Sequence, residues 1–139
     1  MPLDPDLRAA YEAADYVVFG KPELVFHVGE KNAVLDAMME LNGAETAAFV
    51  TAENPRGRLT PKQRRGLAIW DIVGALGGVT YKKTYDGEGR DPKGLWQAEV
   101  SALIVGIPRA QAEAMGRRLR QNAIVFVERG KAPELVVLV

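Results

Sequence analysis

The residues most capable of chemistry stand where this chain leaves an apolar strand for a polar loop. Residues 47–52 read as buried strand, and Glu53-Asn54-Pro55-Arg56 follows directly. A strand end holds polar groups at fixed positions, so an abrupt change from apolar to polar marks a pocket rim. Glu53 would act there as a general base or hydrogen-bond acceptor, and Asn54 would orient a ligand carbonyl or amide. Turn chemistry also accounts for Asn54-Pro55, because the residue before proline is pushed to extended geometry. Both readings stay open.

Residues 56–65 carry Arg56, Arg58, Lys62, Arg64 and Arg65 and no acid. They lead into the start of the longest expected helix. A helix N-terminus already favours anions through its free N–H groups and dipole. Cations placed there oppose the dipole until an anion binds. A solvated basic face is the plainer account of the same run.

Further along, the glycine-rich residues 86–94 read as a loop, with Arg90 and Asp91 as ligand contacts. They match neither nucleotide fingerprint: no Gly-x-x-x-x-Gly-Lys-Ser/Thr is present, and Gly87-Glu88-Gly89 has no third glycine and no following helix. Trp96 and Glu99 open the next strand. If that strand is regular, Gln97, Glu99 and Ser101 share one face. A carboxylate among apolar neighbours must be paired or protonated, which makes Glu99 a second acid/base candidate and equally a salt-bridge partner. Gln121-Asn122 precedes another apolar strand. Asn122 fits a helix C-cap, which leaves Gln121 as the stronger ligand contact. His27 is the single histidine and sits in an apolar strand without a nucleophile elbow or ligand spacing, so it reads as structural and no metal site is expected.

Composition limits the options. The 139 residues suit one domain, 1–139. Lys+Arg and Asp+Glu are each 18, a balance that argues against nucleic-acid binding. The chain has no cysteine, which excludes disulfides, thiolate catalysis and cysteine-ligated metals. Residues 1–20 hold Asp4, Asp6 and Glu12 and no apolar core, so neither a secretory signal nor a membrane span is expected. The location expected from these features is cytoplasmic.

The elements that must position these groups follow from caps and periodicity. Asp4-Pro5 starts a helix over 5–14. Strands at 16–19 and 23–28 form a hairpin. A helix over 30–41 turns Val34, Met38 and Leu41 inward with Leu35 and Met39 beside them, and Asn42-Gly43 stops it. The strand at 46–52 comes next. Thr60-Pro61 starts the longest helix, with Leu67, Trp70, Val73 and Leu76 expected against the sheet and Gly77-Gly78 at its end. Strands at 79–85 and 95–106 flank the glycine-rich loop. A helix over 108–120 buries Ala112, Met115 and Leu119, and a C-terminal hairpin closes the chain. The expected fold is α+β or α/β: a single mixed sheet of six or seven strands with helices mainly on one face.

Four blocks carry a resemblance: residues 48–55 (AFVTAENP), Asp91-Pro92-x-Gly94-x-Trp96-x-x-Glu99, Gly106-Ile107, and residues 121–125 (QNAIV). The chain resembles an uncharacterised bacterial family of small single-domain proteins, over residues 16–138. The resemblance implies a compact bacterial cytoplasmic protein and brings no activity, substrate or cofactor.

If the strand ends converge, Thr51, Glu53, Asn54, Arg56, Arg90, Asp91, Trp96, Glu99, Gln121 and Asn122 line one polar cleft. The first functional expectation is binding of an anionic metabolite or nucleotide there. Arg56 and the helix start would take the anion, and Trp96 would stack. The second is a hydrolase or transferase using Glu53 or Glu99 as general acid/base. The third is association through a sheet edge, with a homodimer as its simplest form, motivated by the apolar residues 135–139.

Overall fold

The structure, a computed structural model, describes residues 3–52, 61–94 and 97–139. The expected roles of Glu53, Asn54, Arg56, Thr60 and Trp96 fall outside these residues.

Local signals in the sequence set most of the elements. Helix α1 (Pro5–Ala13) begins where the Asp4 carboxylate accepts from the N–H groups of Asp6 and Leu7 at 2.8 and 3.3 Å. Strands β1 (Asp15–Val18) and β2 (Leu24–Phe26) form the expected hairpin. Asn32 caps α2 (Ala33–Leu41), and Gly43 at φ +64 ends it. Then follow β3 (Thr46–Thr51), α3 (Pro61–Ala75), β4 (Lys83–Arg90), β5 (Glu99–Val105), α4 (Arg109–Arg118), β6 (Ala123–Glu128) and β7 (Glu134–Val137).

The seven strands make one sheet in the order β2-β1-β4-β5-β3-β6-β7. All six pairings are antiparallel, which narrows the expected mixed sheet to one kind of ladder within an α+β fold. Strand β3 lies between β5 and β6. The edges are β2 and β7, three and four residues long.

Two apolar clusters cover the sheet's two faces. On one, α3 and α4 pack Ala68, Ile72, Ala75, Ala112 and Met115 against Ala48, Ala102 and Ile104. On the other, α2 packs Leu35 and Met39 in a cluster with Phe26, Phe49 and Leu103. Tyr16, Phe26 and Phe49 meet there with ring centroids 5.3 to 5.6 Å apart.

Three sequence expectations are corrected. Residues 86–90 are not loop: β4 runs through Arg90, paired to β1 and β5. Glycine permits that pairing, since a Cβ on Gly87 would lie 2.0 Å from the Val17 carbonyl oxygen. Helix α2 faces the core with Leu35 and Met39, while Val34 and Leu41 are 63% and 85% exposed. Helix α3 is turned the same way. Ala68, Ile72 and Ala75 are buried, whereas Leu67, Trp70 and Val73 are exposed. Helix α3 packs on β5, whose Ala102 lies in one cluster with Ala48 and Ala52, and the helix joins that cluster through its own small residues Ala68 and Ala75. The apolar stripe with the larger side chains is left outside.

Candidate functional site

Two of the cavities among the described residues lie on opposite faces of the sheet; a third, shallow and open, lies between Glu12, His27 and Glu30. The first takes in three of the polar residues singled out in the sequence. Alternation along β3 and β5 sends Thr51, Phe49, Glu99 and Ser101 to the α2 face. Thr51, Glu99 and Gln121 line a cleft there with Tyr11, Tyr16 and Phe49. Thr51 Oγ1 is 2.8 Å from Ser101 Oγ, and that hydroxyl also donates to the Glu99 carbonyl at 2.9 Å. Gln121 Nε2 donates to the Leu119 carbonyl at 3.0 Å. Asn122 joins through its neighbour: its Nδ2 reaches Tyr11 Oη at 3.5 Å, and its carbonyl accepts from the Leu138 N–H. The Tyr16 hydroxyl donates to the Tyr11 carbonyl. Burial raises the pKa of that phenol above the ordinary tyrosine value, and Tyr11, Glu99 and Glu12 add to the effect, so Tyr16 stays a protonated donor.

The room left in this cleft is about 30 Å³, enough for one or two waters. Glu99 is the one carboxylate among its described lining residues, so they hold no pair of carboxylates.

Two other expected contacts lie apart from it. Tyr85 packs on the α2 face, so Arg90, an odd number of residues along β4, belongs to the opposite side. Its guanidinium is held by Glu23 at 3.2 and 3.3 Å and by Glu88 at 2.6 and 2.8 Å. Asp91 Oδ1 accepts from the Lys93 N–H in the turn closed by Gly94. His27 bridges β1 and the α2 approach, with Nε2 2.7 Å from Asp15 Oδ1 and Nδ1 3.0 Å from Glu30 Oε2. Among the described residues, no group of three or more His, Asp or Glu is placed to hold a metal ion.

The asparagine expected to cap α4 does not do so. Leu119 is the C-cap and Arg120 takes the left-handed conformation at φ +59, with the Gln121 N–H returning to the Gly116 carbonyl at 2.9 Å. This turn aims Gln121 at the cleft.

The second cavity was not anticipated. It holds about 300 Å³ between α3 and strands β4 and β5. Ile69, Ile72, Val73 and Leu76 form the helix side, Val100 and Ala102 the floor, and Phe19 one end. Arg65, Thr84 and Asp86 supply its polar side chains at the rim. The rotation of α3 creates this space, because Ala68 and Ala75 carry the close contact while Ile69 and Val73 stand over the gap. The signal available in the sequence was the alanine pair at 68 and 75, outweighed there by the larger residues at 67, 70 and 73.

The molecule is thus an α+β protein with one antiparallel sheet, a tight polar cleft on one face and an apolar pocket on the other. The chain belongs to the family described as "Protein of unknown function (DUF3293)", whose model matches residues 50–124, more than half of its length. That span contains α3, β4, β5 and α4, and every residue that lines the α3 pocket except Phe19 lies within it. No curated protein and no solved structure matches the chain. Among the described residues no helix is long and apolar enough to cross a membrane.

Proposed function

We propose that this domain binds a small molecule with an apolar body and an anionic head in the pocket beneath α3. The observation that carries the reading is the pocket's combination of size and lining. About 300 Å³ is at the lower end of the range for small-molecule sites, and apolar walls with a few polar groups are their usual make-up. The apolar body would lie against Ile69, Ile72 and Val100. Arg65 would take a carboxylate at the rim, and Thr84 and Asp86 would read a donor beside it. The cationic first turn of α3 favours an anion at that end of the pocket.

Thermal melting with a panel of small aliphatic and aromatic carboxylic acids tests this, each acid paired with its primary amide. A ligand at about 100 times its Kd adds roughly 2.7 kcal/mol of stability. Expected are a rise in Tm with at least one acid, a smaller rise with its amide, and loss of that preference in Arg65→Gln. Absence of any shift across the panel overturns the reading, as does a shift that Ala102→Leu, which fills the pocket floor, leaves intact.

A further inference from the structure

The outer face of α3 is apolar and turned away from its own chain. Trp70 is 75% exposed, Val73 60% and Leu67 40%. At 3.6 residues per turn Trp70 points opposite to the buried Ala68, Ile72 and Ala75. We propose that a second copy of this chain covers this face, its α3 crossing antiparallel to the first about a two-fold axis near Trp70.

Charge is the first argument for a second copy. Helix α3 has Lys62 and Arg64 but no acid in its first turn, Arg65 follows, and no cation sits in its last turn. The first turn therefore opposes the helix dipole, and the uncharged last turn leaves its carbonyl end without a cation. An antiparallel copy sets the cationic start of one helix beside the carbonyl end of the other, which corrects both ends at once. A parallel copy would place cations against cations.

Shape agrees. The residues four before and four after Trp70 are Gly66 and Gly74, and a Cβ on either would meet no atom within 4 Å. Glycine inside a helix costs about 1 kcal/mol relative to alanine, and packing within this chain does not require it at these positions. On the helix surface the two glycines leave hollows along the ridge on both sides of the indole. Two-fold symmetry would seat each Trp70 in a hollow of its partner and place Leu67 opposite the partner's Val73.

The sheet edges offer less. Strands β2 and β7 are three and four residues long, and short edges resist pairing. A contact between α3 of one copy and the exposed Val34 and Leu41 of another would be heterologous and would not stop at two. The α3 pair is modest: 15 residues span roughly 22 Å, short of the ~800 Å² per partner of a standard interface, so the dimer is expected to be reversible and concentration-dependent.

Sedimentation equilibrium on the full chain without ligand, from about 1 μM to 1 mM, reads this directly. The mass should rise from 15.1 kDa toward twice that value and no further. Gly66→Leu with Gly74→Leu adds apolar surface but fills both hollows. It should weaken the dimer at least about tenfold while leaving Tm unchanged or higher. Trp70→Lys, which leaves the helix glycines in place, should do the same. The chain lacks cysteine, so orientation is testable by oxidation. A mixture of Leu67→Cys and Val73→Cys chains should cross-link between the two variants, and Leu67→Cys alone should not. A monomer across the whole range, growth beyond the dimer, undiminished association of the glycine variant, or cross-linking of Leu67→Cys alone each overturns the proposal. Mass and cross-linking are read without ligand, so their outcome is separate from that of the pocket.

Discussion

The two faces of the sheet use different side chains and leave different amounts of space. On the α2 face three aromatic rings pack against one another, and Thr51, Ser101, Gln121 and Tyr16 all hydrogen-bond within the protein. About 30 Å³ remains. On the α3 face alanines meet alanines, the helix sits close at one line of contact, and about 300 Å³ opens beside it. Polar residues at strand ends marked the tight face, whereas small residues made the room. The polar cleft at the strand ends and the roomier apolar pocket thus lie on opposite sides of one sheet.

Core truncations should separate the faces most strongly. Phe49→Ala removes a ring that contacts two others at a site with little slack, and should cost about 3–5 kcal/mol in urea unfolding. Ile72→Ala beside the existing pocket should cost less, about 2 kcal/mol, because part of that side chain already faces space. Equal costs would erase the contrast.

A smaller effect concerns Tyr16. Its pKa is raised in the folded chain, so its contribution to stability is complete below the unfolded value of about 10 and is lost as pH rises above it. Tyr16→Phe should lower stability near neutral pH by about 1 kcal/mol through the lost bond to the Tyr11 carbonyl. Its unfolding free energy should then fall less steeply than that of the wild type above pH 10. Parallel alkaline profiles would remove Tyr16 from this account.

The smallest change expected is a gain. Arg120 holds a left-handed conformation that costs a non-glycine residue roughly 1 kcal/mol, and Arg120→Gly should raise stability by about 0.5–1 kcal/mol. A loss instead would show that the arginine side chain itself holds the turn that presents Gln121.

Legibility followed range. The Asp4 cap, the Asn42-Gly43 stop and the terminal hairpins rest on contacts between near neighbours, and they stand where local rules put them. Ala112, Met115 and Leu119 are buried as periodicity required. Strand β4 was harder: Gly87 reads as a loop residue until β1 is beside it, and only then does the missing Cβ make room for the Val17 carbonyl. Of the ten polar residues expected to converge, Thr51, Glu99 and Gln121 share the cleft and Asn122 adjoins it. Arg90 is drawn to Glu23, 67 positions away, a partner that no local pattern announces.

By itself the sequence determined that helices alternate with six or seven strands, without cysteine chemistry or a charge excess, and where most of those elements begin and end. Those features depend on composition and on forces acting within a few residues. Tertiary structure decided which stripe of α3 is buried. Two stripes of that helix are apolar, and periodicity favours the one with the larger side chains. The alanines of β3 and β5, distant in sequence, admit only the smaller one. That single rotation opened the pocket, placed Arg65 at its rim and left Trp70 on the outside.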